Sequence, residues 1–365
     1  MKTTAARSRE EIAVPVVSVS VVVPCRNEIR SIREFLDSVL QQDVAGMNSE
    51  VLIADGMSDD GTRAILKEYE RKFPALRVID NHARIVSTAL NAAIREARGE
   101  IIVRMDAHSV YAPDYIRRCI EVLNETNAEN VGGPALTRAD GFMARAIAHA
   151  YQSRFARGGA KSRDLQYQGP ADTVPYGCWR KSTLERLGLF DENFVRTEDY
   201  ELNLRITSSG GTIWQSPKIV SWYCPRASLS RLFRQYFQYG FWKTAVIRKH
   251  RKRVSLRNSV PGTCLVVAIL LLLAAAGANL GGLVAWRNVF LCSWAALAVL
   301  YFAASASASF VAAKGYGWKF LPIFPIVFAT YHLSFGLGSI LALSCRPATR
   351  DHPSSMQKIL TEITR

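Results

Sequence analysis

The chain has 365 residues, with 46 lysines and arginines against 31 acids, and 49% of it is hydrophobic. This balance excludes a disordered chain, a collagen-like repeat and a disulfide-stapled mini-protein, and the length suits two structural units. The +15 charge is uneven: from residue 202 to residue 350 there are 17 basic residues and no acid, so the basic character belongs to the C-terminal half. Seven cysteines (Cys25, Cys119, Cys178, Cys224, Cys264, Cys292 and Cys345) are scattered, with no C-x-x-C pair and no histidine at metal-finger spacing, and read as reduced packing residues.

Residues 1–11 are polar and carry acids, and the apolar run 14–23 is too short for a membrane span and breaks at Pro24-Cys25-Arg26-Asn27-Glu28. No signal peptide is expected, which leaves the first 225 or so residues in the cytoplasm. Residues 18–23 read as a strand. The stripe Ile32, Phe35, Leu36, Val39 and Leu40 makes 29–42 a helix. A second strand, 51–54, ends in Asp55-Gly56, and residues 58–62 form a loop and cap for a helix over 63–72. A third strand at 76–79 leads to a helix over 87–97, which Gly99 closes, and residues 100–105 form a fourth strand. Strands alternating with helices at this spacing predict a mostly parallel sheet covered on both faces, whose ligands gather beyond the carboxyl ends of the strands. Arg26, Asn27, Glu28, Asp55, Asp106 and His108 all fall there.

No G-x-G-x-x-G follows the first strand and no G-x-x-x-x-G-K-[ST] occurs, so a dinucleotide oxidoreductase and a P-loop ATPase lack their phosphate-cradling backbone. Asp106-Ala107-His108 offers another way to neutralise phosphate. Residues two apart in an extended segment point the same way, so the pair can share one divalent ion with diphosphate oxygens. Further on, Thr197 is placed to cap a helix running through Ile206, and acids in its first turn suit the helix dipole. Glu198, Asp199 and Glu201 therefore have a structural reading beside a catalytic one, in which a carboxylate is the general base for a sugar hydroxyl.

Residues 228–250 interleave aromatic and basic side chains, as suits a helix at an anionic membrane surface. Three uncharged apolar stretches follow, 264–286, 288–313 and 320–345, each longer than the roughly 20 residues that cross a hydrocarbon core. Spans that follow so directly make a nucleic-acid stripe an unsuitable reading. The breaks fall at Arg287 and at residues 314–319. Basic residues Arg248, Lys249, Arg251, Lys252, Arg253 and Arg257 crowd the entry to the first span, which places the large domain inside and the C-terminal tail outside. Pro322, Pro325 and His332 leave open a re-entrant or interfacial third segment.

Val21-Val22-Val23-Pro24-Cys25-Arg26-Asn27-Glu28, the run Asp55 to Thr62, Asp106-Ala107-His108 and Thr197-Glu198-Asp199, in this order, resemble the signatures of family 2 glycosyltransferases with the GT-A fold. The layout is similar to bacterial glucosyltransferases of succinoglycan and related exopolysaccharide synthesis. The resemblance implies an α/β nucleotide-sugar-binding domain at 18–225, after an extension at 1–17. A basic interfacial helix follows at 226–258, then a membrane domain of about three transmembrane helices at 259–345 and a tail at 346–365. It implies inverting transfer of a hexose, glucose in the first instance, from a UDP-sugar to a polyprenyl-diphosphate-linked sugar at the bacterial inner membrane. Asp199 would be the base. Pro24, Glu28, Asp55, Arg84 and Asp106 would hold the nucleotide sugar, with Asp106 and His108 on a divalent cation, Mg2+ or Mn2+. Trp179, Glu198, Gln238 and Trp242 are acceptor-side candidates. The commoner family metal motif ends in Asp where this chain has His108, and no Q-x-x-R-W of processive synthases occurs. Alternatives are a polyprenyl-phosphate sugar synthase and a non-enzymatic membrane scaffold on a transferase fold.

Overall fold

The computed structural model describes residues 17–223, 227–251 and 256–345. The 346–365 tail, all but the last residue of the 1–17 extension, and Cys224, Arg226, Lys252 and Arg253 lie outside the described residues. The first half alternates as its periodicity requires: β1 Ser18–Cys25, α1 Ile32–Leu40, β2 Asn48–Asp55, α2 Thr62–Lys72, β3 Leu76–Asp80, α3 Val86–Glu96 and β4 Ile101–Arg104. Then come β5 Ser109–Tyr111, α4 Tyr115–Thr126, β6 Asn130–Gly132, β7 Ala135–Thr137, α5 Phe142–Gln152 and α6 Arg154–Arg157. The domain closes with β8 Gly169–Pro170, β9 Cys178–Arg180, α7 Lys181–Arg186, α8 Glu198–Ser208, β10 Ile213–Gln215 and β11 Ser221–Tyr223.

Eight strands form one sheet in the order β3-β2-β1-β4-β9-β6-β10-β8, and β5-β11-β7 form a small second sheet. The block β3-β2-β1-β4 is parallel throughout, while β9 joins antiparallel to both β4 and β6. Side chains alternate across β1: Val21 and Val23 enter a core with Phe35, Leu36 and Leu66, and Val22 enters one with Leu52, Leu90 and Leu202. Burial on both faces is why these strands read as unbroken apolar runs. The register sets Cys25 opposite Asp55 and Asp55 opposite Asp80, so the polar strand ends share one edge of the sheet.

Four long helices follow, α9 Leu229–Lys249, α10 Leu256–Leu280, α11 Val284–Tyr316 and α12 Phe324–Ser344. The last three are long and apolar enough to cross a membrane. The first break falls at residues 281–283 instead of Arg287. Gly282 takes φ +71°, a turn that a glycine makes without strain, and Arg287 continues the next helix. The basic helix α9 packs along α12 at backbone distance: a Cβ on Gly338 would come 2.0 Å from the Phe237 carbonyl oxygen, and one on Gly240 2.1 Å from that of Phe335.

Near its start α12 touches the sheet domain, where Phe324, Val327 and Phe328 pack with Ala146 and Ile147 of α5. Near its end, Ala342 and Leu341 join a cluster in which Phe241, Trp242 and Val246 of α9 lie with Phe194, Val195 and Ile85 of the sheet domain.

Candidate active site

The loop after β1 is built against the loop after β2. Asn27, at φ +54°, donates through its side-chain amide to Asp59 Oδ1 (2.9 Å) and accepts from the Asp59 N–H (3.0 Å). Its backbone N–H donates to Ser58 Oγ, and that of Glu28 to Thr62 Oγ1. Asparagine tolerates the left-handed conformation, so Asn27, Ser58 and Asp60 are turn builders. Asp55 lies fully buried behind them, its carboxylate accepting from Ser58 Oγ at 2.6 Å and Arg63 Nη1 at 2.7 Å.

β4 ends in Arg104, whose side chain turns back onto Asp106 two residues later. Nε reaches Asp106 Oδ1 at 2.8 Å, Nη2 reaches Oδ2 at 3.2 Å, and Nη1 donates to Glu198 Oε1 at 3.0 Å. Burial alone would raise the Asp106 pKa, but the adjacent guanidinium holds it below the usual carboxylate range. For Glu198 burial wins: with Asp199 adding repulsion and Arg104 opposing, its pKa is raised. His108 Nδ1 lies 3.1 Å from Glu28 Oε1, bringing the loop after β4 to the loop after β1. Asp199 is the second residue of α8, and its Oδ1 accepts the Tyr200 N–H at 2.7 Å. Thr197 occupies the cap position but at φ +62° its hydroxyl makes no capping bond, and only its carbonyl oxygen accepts, from the Glu201 N–H.

These groups line one cavity of about 770 Å³. Its wall carries three contact groups: Glu28 with His108, Arg104 with Asp106 and Glu198 beside Asp199, and Arg163 with Tyr151 and Tyr236; Pro24, Arg84, Arg196 and Tyr239 line it too. Pro261 of α10 and Tyr331, His332 and Phe335 of α12 complete it, so the sheet domain and the apolar helices share the cavity. Asp55, Trp179, Gln238 and Trp242 do not line it. Trp179 packs edge-on to Phe190, and Trp242 packs against Phe194. Gln238 lines a separate groove with Phe233 and Thr330. On α9 the neighbouring positions Tyr239 and Lys243 face the cavity instead, because adjacent helical residues diverge by about 100°.

Arg104, Arg163 and Arg196 carried no sequence signal, and the structure brings all three to the cavity. Among the described residues Arg196 Nε and two guanidinium nitrogens of Arg26 are buried without a hydrogen-bond partner, which marks the wall as a place for anions. Among the described residues no three His, Cys, Asp or Glu side chains converge on one point. Asp106 and His108 still fit a divalent ion bound together with diphosphate, since such an ion takes one or two protein ligands and fills its shell with phosphate oxygens and water.

A mostly parallel sheet with carboxylates and an imidazole beyond its strand ends, whose cavity is also lined by helices apolar enough to cross a membrane, suits a group-transfer enzyme with a phosphate-bearing substrate. Residues 20–187 match the family described as glycosyl transferase family 2, and the chain belongs to that family. It is 34% identical over 256 residues to the succinoglycan biosynthesis protein ExoA of Rhizobium meliloti, covering 70% of this chain and 77% of that protein. It is 30% identical to a Methanococcus voltae dolichyl N-acetyl-alpha-D-glucosaminyl phosphate 3-beta-D-2,3-diacetamido-2,3-dideoxy-beta-D-glucuronosyltransferase, covering 63% of this chain and 74% of that one. The fold is similar to that of the mannosyltransferase PcManGT from Pyrobaculum calidifontis, solved with GDP-Man and Mn2+ (TM-score 0.57, 20% identity, 89% and 86% of the two chains).

Proposed function

We propose that this enzyme is an inverting hexosyltransferase that moves a hexose, glucose in the first instance, from a UDP-sugar to a polyprenyl-diphosphate-linked oligosaccharide in exopolysaccharide synthesis. It works at the bacterial inner membrane with its sheet domain on the cytoplasmic side. The observation that carries the reading is that one cavity is lined by Asp106 and His108, by Asp199 and by residues of helices α9 and α12.

Asp199 is the base. With Oδ1 held by the Tyr200 N–H, Oδ2 takes the proton of the acceptor hydroxyl as that oxygen attacks the anomeric carbon. The diphosphate departs from the opposite face with the electron pair of the broken bond, and no covalent intermediate forms. Pro24, Glu28 and Arg84 line the cavity to receive the nucleotide, and Asp55 braces the loop after β2. Arg104 keeps Asp106 ionised and oriented, and Arg196 adds positive charge where the diphosphate leaves. Asp106 and His108 would hold a divalent cation, Mg2+ or Mn2+, whose chemistry is to neutralise the departing diphosphate.

The test is sugar transfer by the full chain in bilayers, from radiolabelled UDP-glucose to a lipid-linked sugar and to polyprenyl phosphate alone. Asp199→Asn should lower transfer by roughly 100-fold or more while UDP binding survives, and chelator should abolish transfer by the wild type. Near-normal transfer by Asp199→Asn, or full activity in chelator, would remove the base or the metal. Transfer to bare polyprenyl phosphate only would recast the enzyme as a synthase of the lipid-phosphate sugar.

A further inference from the structure

Arg163 closes the 3-10 turn Lys161–Arg163 and lines the cavity, and the transfer chemistry leaves it idle. Its guanidinium carbon lies 4.1 Å from the ring centroid of Tyr151 on α5, and Nη2 donates to the Tyr236 hydroxyl of α9 at 3.1 Å. Nη1 is buried and has no hydrogen-bond partner, and the side chain pairs with no carboxylate among the described residues. A guanidinium cannot shed its proton, so a buried N–H with no partner is a donor held ready for an anion.

The surroundings say what kind of anion. Tyr236 packs edge-on against Tyr331 of α12, with centroids 4.3 Å apart. Leu232, Pro261 and Phe335, from α9, α10 and α12, line the same cavity. The positive group therefore shares its cavity with apolar side chains of α9, α10 and α12, the last two long and apolar enough to cross a membrane. Small water-soluble anions have no need of such neighbours, and the donor diphosphate already has Asp106, His108 and Arg196.

We infer that Arg163, braced by Tyr151 and Tyr236, binds the phosphate of a polyisoprenyl-phosphate lipid whose tail leaves between α9, α10 and α12. This rests on the reading that the acceptor is carried by such a lipid, and it assigns the residue that grips it. A planar guanidinium stacked on one ring and tethered to another is pre-oriented for phosphate oxygens.

The test uses the full chain in detergent micelles, with farnesyl phosphate, farnesol, short-chain phosphatidylglycerol and UDP as probes in calorimetric titrations. Wild-type protein should bind farnesyl phosphate at least about tenfold more tightly than farnesol, in keeping with a charge-assisted hydrogen bond, and more tightly than phosphatidylglycerol. Arg163→Gln should erase that preference and leave UDP affinity within about twofold of wild type. Persistence of the preference in Arg163→Gln overturns the inference. Equal binding of phosphatidylglycerol overturns it in favour of a general headgroup site, and a parallel loss of UDP affinity overturns it in favour of the donor diphosphate.

If Arg163→Gln fails to fold, phenylglyoxal modification of wild-type protein replaces it. Farnesyl phosphate, but neither farnesol nor UDP, should protect the Arg163 peptide, and absence of that protection overturns the inference. No transfer assay enters, so the two readings fail separately. Binding through Arg163 without transfer to any lipid-linked sugar would sink the proposed function alone.

Discussion

Arg104 lies 7% exposed between Asp106 and Glu198, which are 92 residues apart in the chain. A buried guanidinium is tolerated there because both neighbours neutralise it, and removing either partner leaves charge unpaired. Glu198 is the weaker partner. Burial and Asp199 raise its pKa, so the folded protein binds a proton more readily than the unfolded chain does. The sign follows: the cost of ionising Glu198 is absent below the ordinary glutamate pKa of about 4.3, grows through the raised value and is complete above it. Glu198→Gln keeps an acceptor for Arg104 and removes that cost, so its melting temperature relative to wild type should rise from pH 5 to pH 8. Melting curves of both proteins across this range check it, and a difference constant with pH would remove Glu198 as a titrating group. Asp106, His108, Glu198 and Asp199 were legible because strand ends and helix starts can be found in a sequence. Arg104 was not, since an arginine ending Ile-Ile-Val reads as a solvent-facing terminus until its distant partner is known.

The contact between α9 and α12 depends on glycine at two places, and that between α12 and α10 at a third. Gly240 and Gly338 let the two backbones meet, Gly336 does the same for α12 against Pro261 of α10, and Ser339 Oγ donates to the Gly240 carbonyl at 3.3 Å. α9 also carries the cavity residues Leu232, Gln235, Tyr236, Tyr239 and Lys243, so its seating sets one wall of the site. Gly338→Val forces the helices apart, at a cost on the order of 1–3 kcal/mol or more by overpacking. The variant should melt earlier and lose transfer to a lipid acceptor by about tenfold or more, with UDP binding little changed. Thermal melts, transfer and UDP titration decide it, and unchanged transfer would detach the cavity wall from the α9–α12 contact. The βα alternation was legible element by element because β1, β4 and the second half of β2 are buried on both faces and each helix keeps an apolar stripe. The close packing of α9 on α12 was not. Glycines in an apolar run mark no partner, and the basic aromatic pattern of α9 reads as a helix lying alone on a membrane surface.

At the scale of the molecule, the apolar helices divide by what covers them. Of the stretches that would lie in the membrane, 11% and 6% of residues are buried in α10 and α11 and 44% in α12, so the first two leave nearly all their apolar surface uncovered and the third is partly covered by the rest of the chain. A helix of 21 residues is about 30 Å long, enough to carry one end across a hydrocarbon core. Yet α12 meets Ile147 of α5 near its start and clusters with Phe241, Trp242 and Val246 of α9 near its end, and Arg248 of α9 donates to the carbonyl oxygens of Ala342 and Cys345. A segment that meets the sheet domain near its start and stays against α9 to its end runs along α9 instead of away from it.

The pair α10–α11 then forms a hairpin with its tip at Gly281-Gly282. The 33 residues of α11, about 50 Å, leave its last turns to reach His149 of α5, which stacks on Tyr316 at 4.1 Å. Charge agrees: Lys314 and Lys319 return to the side of the basic α9, and Arg287 sits near the far tip. The sequence alone leads to a tail outside; with only α10 and α11 crossing, the expectation reverses, and the four basic residues against two acids in 346–365 favour the side of the sheet domain. Reporters fused after Arg365 should therefore report the compartment of the sheet domain: a fluorescent protein that folds only in the cytoplasm should light up, and an exported phosphatase should stay inactive. The opposite pair of results would make α12 a third crossing, and the basic α9 packed against it would then have to enter the bilayer with it.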